Sequence, residues 1–105
     1  MFVDSHCHLD FPDLACHLDE LLHNMQENKV THALCVSINL PDFPRVRALA
    51  ETHRNLFASV GVHPDYEDQV EPVAAQLAEL AIHPKVIAIG ETGLDYFRLK
   101  GDLEW

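Results

Sequence analysis

His6 and His8 stand one residue apart in Asp4-Ser5-His6-Cys7-His8-Leu9-Asp10, at the end of a short run that begins with Phe2 and Val3. On an extended strand, residues i and i+2 project from the same face, so the spacing aims two imidazoles at one point, as a transition-metal ion requires. Taken alone, the pair reads equally well as two polar side chains of a turn, bonded to backbone. Asp4 and Asp10 flank it, placed to orient an imidazole through its second ring nitrogen. A third candidate is Glu91, in Gly90-Glu91-Thr92-Gly93-Leu94-Asp95. It directly follows the apolar run Val86-Ile87-Ala88-Ile89, where a carboxylate is costly to desolvate unless a cation or a donor meets it; on local grounds it reads more readily as a solvated loop glutamate or a helix cap. Gly90 and Gly93 are expected to permit the close backbone turns of that loop. His63, in Gly61-Val62-His63-Pro64, is placed either to touch substrate and exchange a proton or simply to shape a turn before proline.

The elements that carry these residues recur at nearly even intervals. Strand-like runs cover residues 2–6, 31–37, 57–62 and 86–90. Between them, Leu14, Leu18, Leu21, Leu22 and Met25 follow the spacing of one helical face, with Pro12 and Asp13 suited to its first turn. Val46, Leu49, Ala50 and His53 mark a second helix, and Val73, Leu77, Leu80 and Ala81 a third, opened near Pro72 and stopped before Pro84. Strand and helix alternate, which means parallel strands joined by right-handed crossovers. Strands two to four are nearly continuous in apolar residues, the pattern of a sheet covered on both faces.

Two architectures are built from such units: an open doubly wound sheet and a closed (β/α)8 barrel of the TIM type. The first should show a glycine-rich loop after its first strand, and here that position holds His6-Cys7-His8-Leu9-Asp10. The barrel is preferred. A complete one takes about 250 residues, so residues 1–105 are expected to form the N-terminal half of a barrel domain, with four strands and three helices. Leu99–Trp105 reads as a loop opening a fourth helix, as a truncated chain would end. In a barrel, active sites lie at the carboxyl ends of the strands, and His6, His8, His63 and Glu91 all fall there. The other histidines (His17, His23, His32, His53, His83) lie elsewhere and read as surface or packing residues.

Composition narrows the function classes. A hydrophobic content of 48% fits a folded chain, and no apolar run is long enough to span a bilayer. No secretory leader is visible at the start, so a cytoplasmic location is expected. Cys7, Cys16 and Cys35 form an odd set without a Cys-x-x-Cys pair and read as reduced thiols, with Cys7 a small buried residue. The net charge of −10 and only seven Lys plus Arg argue against a basic stripe that tracks nucleic acid. A phosphodiester substrate would have to be neutralised by bound cations.

Three segments, Val3-Asp4-Ser5-His6-Cys7-His8-Leu9-Asp10, Gly61-Val62-His63-Pro64 and Gly90-Glu91-Thr92-Gly93-Leu94-Asp95-Tyr96, resemble successive signatures of the TatD-type metal-dependent hydrolases, in that family's order and spacing. The resemblance implies an amidohydrolase-like barrel, a divalent-metal centre and DNase activity. It implies metal ligation by His6, His8 and Glu91, catalytic roles for Glu91 and His63, and a substrate contact for His63. Glutamate on the fourth strand resembles this branch rather than amidohydrolases with a carboxylated lysine there. The Gly-Glu-Thr-Gly-Leu-Asp segment also separates the chain from polymerase-and-histidinol-phosphatase-type phosphoesterases. The resemblance further implies two divalent ions (Zn, Mn or Mg) in the complete protein, held also by two histidines and an aspartate on later strands. With three ligands, this chain alone is expected to bind metal weakly and to hydrolyse little. The partners implied are DNA or another phosphodiester, with no membrane. Two other readings stay open: a non-catalytic half-barrel that self-associates through its open sheet edges, and an amidohydrolase acting on an amide or ester.

Overall fold

The computed structural model describes residues 1–66, 68–98 and 101. Four parallel strands, β1 (Phe2–Cys7), β2 (Val30–Cys35), β3 (Leu56–Val60) and β4 (Val86–Ile89), form one sheet in the order β1-β2-β3-β4. Sequential order matters. A doubly wound sheet reverses direction at a switch point, whereas strands laid down in sequence with right-handed crossovers place every helix on one face. The observed order is that of a barrel wall.

Four helices connect the strands: α1 (Pro12–Ala15), α2 (Leu18–Glu27), α3 (Phe43–Thr52) and α4 (Ala74–Leu80). The first of the three expected helices is split. α1 stops at Cys16, and α2 starts after His17, whose φ of −120° and ψ of 23° break the helical path. Leu14 therefore leaves the apolar face and is exposed, while Leu18, Leu21, Leu22 and Met25 pack on the core. The apolar spacing from Leu14 to Met25 continues through the break in the sequence, so spacing alone does not reveal it.

The core lies between the sheet and its helices. Ala33 and Cys35 of β2, Leu56, Ala58 and Val60 of β3 and Val86 of β4 meet Phe43, Val46 and Ala50 of α3. The sheet's other face differs from the expectation of cover on both sides. Ile87 and Ile89 alternate with buried Val86 along β4 and are 58% and 50% exposed. On β1, Phe2 and Val3 are also exposed. The apolar composition of β4 thus marks a face that no described element covers. The expected fourth helix falls at Leu99, Lys100 and Asp102–Trp105, outside the described residues. No described helix is long and apolar enough to cross a membrane.

One buried polar side chain ties the strand ends together. The Ser59 hydroxyl accepts the Ser37 N–H at 3.1 Å and donates to the Gly90 carbonyl at 2.8 Å. Ser59 is 1% exposed, so water cannot replace it. Ser59→Ala leaves a buried donor and a half-buried acceptor unpaired, and should cost about 1–3 kcal/mol of stability in urea unfolding. A cost below about 0.5 kcal/mol, the size of an ordinary surface change, would mean the hydroxyl bridges nothing.

Candidate metal centre

β1 ends at Cys7 and β4 at Ile89, so His6, His8 and Glu91 all sit at the carboxyl rim. One ligand atom from each lies within 4.8 Å of the other two. The separation along the chain is bridged by the parallel sheet, which brings both strand ends to the same edge. The expected convergence of two imidazoles and a distant carboxylate is present in the geometry.

Each group is held in a different way. The His8 Nδ1 lies 3.2 Å from the Val36 carbonyl. A carbonyl only accepts, so this nitrogen carries the hydrogen and Nε2 keeps its lone pair for a cation. Phe11 stacks on the same ring, with centroids 4.7 Å apart and planes 20° from parallel. The His6 ring meets the His8 ring edge-on, and its Nε2 is 3.5 Å from Glu91 Oε2. Glu91 is fixed through its backbone: its N–H donates to the Ser37 carbonyl at 2.8 Å, and the Gly90 N–H donates to the Val60 carbonyl at 2.9 Å.

The glycine that this arrangement requires is Gly61, which lies against Gly90 and Glu91 across β3 and β4. A Cβ on Gly61 would stand 2.6 Å from the Gly90 carbonyl carbon and oxygen and 3.0 Å from the Glu91 nitrogen. At Gly90 itself the nearest atom would be the Ser59 hydroxyl at 3.9 Å, an ordinary contact. Gly90, expected with Gly93 to permit a close backbone turn, has no positive φ, so the turn does not demand glycine there. Gly93 does fit its expected role: its φ of +135° is one that side-chain-bearing residues rarely adopt.

His63 lies against the same carboxylate, with Nε2 3.2 Å from Glu91 Oε1. Its Nδ1 meets the Asp65 carboxylate and, at 3.2 Å, the Asp65 N–H. Glu91 thus touches His6 through one oxygen and His63 through the other. Spacing alone missed Asp65, although its position two residues beyond His63, after a proline, was a signal. His63, Asp65 and Asp95 also bring ligand atoms within 4.8 Å of one another. There the positive charge comes from Arg98, whose Nη1 is 3.5 Å from Asp95 and 3.9 Å from Asp65. Asp95 accepts the Phe97 and Arg98 N–H groups, at 3.0 and 2.9 Å, and these bonds hold its carboxyl below the usual range.

The two flanking aspartates do not orient an imidazole. Asp4 accepts the His6 backbone N–H at 3.0 Å. Asp10 turns into the fold, where its side chain is 2% exposed and its nearest cation, Arg45, is 4.0 Å away. Burial pushes its carboxyl up, against a backbone hydrogen bond and the Arg45 charge. Cys7, between the two histidines, projects to the other face as alternation demands. Its sulfur lies 3.4 Å from the Leu34 carbonyl and 3.9 Å from the Cys35 sulfur. The bond with Cys7, together with burial, pushes the Cys35 thiol well up and keeps it protonated. The five histidines read as surface or packing residues lie away from this rim; His83, for example, is 3.3 Å from Glu51.

Comparison with known proteins agrees with this geometry. The family model of the TatD-related DNases matches residues 3–104. The chain is 35% identical over 97 residues to the uncharacterized metal-dependent hydrolase YabD of Bacillus subtilis, covering 91% of this chain and 38% of that protein. It is 35% identical over 112 residues to the uncharacterized metal-dependent hydrolase TatD of Mycobacterium tuberculosis, covering 97% and 41%. The crystal structure of YjjV, a TatD homolog from Escherichia coli, superimposes with a TM-score of 0.78 at 33% identity, over 91% of this chain and 38% of that one. The chain therefore spans less than half the length of the relatives it matches. With its strands in sequential barrel order and its family's three segments meeting at one rim, the chain belongs to the TatD-related DNase family.

Proposed function

We propose that residues 1–105 supply the N-terminal half of a barrel hydrolase that uses divalent metal to cleave phosphodiester bonds in DNA. The observation that carries this reading is the convergence of His6, His8 and Glu91 within 4.8 Å at the carboxyl rim. The relatives' names, which call them metal-dependent hydrolases, support the metal requirement.

The donor set fits a divalent cation: two imidazoles, one with its free nitrogen fixed by Val36, and one carboxylate. Such a cation activates water and neutralises charge that develops on a phosphoryl oxygen. The imidazoles favour Zn or Mn, and a more carboxylate-rich remainder would admit Mg. A two-ion centre needs more ligands than the three identified here, so this chain by itself binds metal weakly and turns over little. Glu91 holds the cation and accepts from its neighbours. His63 would serve as the proton-handling and substrate-contacting group, a reading supported by its contacts with Glu91 and Asp65.

The test is a metal-supplemented assay of the complete barrel carrying this sequence, with DNA compared against amide and ester substrates. Mn-dependent cleavage of DNA, lost in both Glu91→Gln and His6→Ala with unchanged circular dichroism, is the expected result. Full activity in both variants would remove the site, and hydrolysis confined to amides or esters would replace the substrate class.

A second reading rests on the exposed apolar residues of the two outer strands, Phe2 and Val3 on β1 and Ile87 and Ile89 on β4. Because all four strands run the same way, β4 of one copy can pair in parallel with β1 of a second. This half-barrel dimer predicts a discrete species of twice the chain mass by light scattering; monomer at all concentrations would exclude it.

A further inference from the structure

The metal pocket, about 370 Å³, is bordered by His6, His8, His63 and Glu91 on one side and by Tyr66 and Arg98 on another. Arg98 is singular in the distribution of charge. Lys29, Arg54 and Lys85 precede β2, β3 and β4 and so lie at the opposite end of the strands, while Arg45 and Arg47 belong to α3. Lys85 is committed to the His53 and Arg54 carbonyls, Arg45 to Asp42, and Arg47 to Glu51. Among the described residues, Arg98 is the one lysine or arginine that lines the pocket holding His6, His8, His63 and Glu91, in a chain of net charge −10.

Its placement is built rather than incidental. Asp95 accepts the Arg98 N–H at 2.9 Å through Oδ1, which fixes the backbone, and its Oδ2 lies 3.5 Å from Nη1, which turns the side chain toward the pocket. Both carboxylate contacts, to Asp95 and to Asp65, are long and are made through Nη1. A guanidinium carries five donors in a planar fork. With the side chain 59% exposed, the Nη2 and Nε edges meet no carboxylate among the described residues.

We propose that Arg98 forms an anion-binding subsite on the flank of the metal pocket, where its guanidinium takes a non-bridging oxygen of a phosphoryl group. The inference rests on the metal-centre reading and deepens it, because a neutral amide or ester offers no such charge. Planar, two-point recognition of phosphate is the task at which arginine surpasses lysine. Asp95 acts as the positioning residue that presents the fork, and a cation held by His6, His8 and Glu91 would supply further positive charge to the same group.

The experiment loads the 105-residue chain with Mn²⁺, whose uptake is read by electron paramagnetic resonance. Binding of dimethyl phosphate, a monoanionic diester, and of trimethyl phosphate, its neutral counterpart, is then followed by ³¹P relaxation. Arg98→Gln should weaken dimethyl phosphate about tenfold, the size of a lost charge-assisted hydrogen bond. Arg98→Lys should fall between, and neither should change trimethyl phosphate or Mn²⁺ uptake. Equal dimethyl phosphate binding in wild type and Arg98→Gln, with Mn²⁺ retained, would overturn the subsite and leave the metal centre standing. So would wild-type protein that takes up Mn²⁺ but no dimethyl phosphate, or an equal loss for both esters. If Arg98→Gln fails to fold by circular dichroism, Arg98→Lys decides: weakened binding supports the subsite and unchanged binding overturns it. Failure of wild type to take up Mn²⁺ would sink the metal centre and this inference together.

Discussion

Exchange of Glu91 for glutamine is expected to remove most of the chain's divalent-metal affinity while leaving its unfolding midpoint nearly unchanged. Glu91 is the single anionic donor of the three and touches both His6 and His63. Its backbone is fixed independently of its charge, through the Ser37 and Val60 carbonyls, so the isosteric change leaves the strand end in place. Loss of an outer-shell partner costs roughly 10–100-fold in metal affinity; loss of a direct anionic ligand should exceed that. Mn²⁺ titration monitored by electron paramagnetic resonance reads the change directly. Affinity within about threefold of wild type would fall below even that outer-shell range and mean that Glu91 is a solvated loop residue.

Gly61→Ala is expected to have the largest effect on stability at the rim. The added carbon would meet backbone at 2.6 Å, and backbone cannot rotate aside as a side chain can. Overpacking of this kind costs about 1–3 kcal/mol and sometimes more, and relief comes only by pushing β4 away from β3. That movement carries Glu91 with it, so stability and metal affinity should fall together. Gly90→Ala is the matched control: with its nearest contact at 3.9 Å it should cost little. Equal unfolding midpoints for the two variants by circular dichroism would refute the close approach.

Much of the site was legible because it depends on rules that act over two residues or at strand ends. Alternation put His6 and His8 on one face, and the β-α repeat put His63 and Glu91 at the same rim. The barrel choice followed from a missing glycine loop and is matched by the sequential strand order. What escaped depends on three-dimensional neighbours. Asp10 looked like a partner for an imidazole, but the Val36 carbonyl, far along the chain, takes that place beside His8. The spacing suggests turn-making roles for Gly90 and Gly93, whereas the close approach that demands a glycine falls at Gly61, across the sheet. Ser59 sat unnoticed in an apolar strand because its two partners, Ser37 and Gly90, lie on the strands to either side. Arg98 carried no signal in a loop rich in more conspicuous residues. Its importance lies in the pocket wall it shares with His6, His8, His63 and Glu91.

The most direct measurement follows the ring nitrogens of the eight histidines in long-range ¹H–¹⁵N spectra while Zn²⁺ is added. The His6 and His8 signals should shift together along one binding curve, with His8 responding at Nε2 and keeping its Nδ1 proton on Val36. His17, His23, His32, His53 and His83 should stay unmoved. Shifts that begin at those five, or a His6 response uncoupled from that of His8, would contradict a shared cation at this rim.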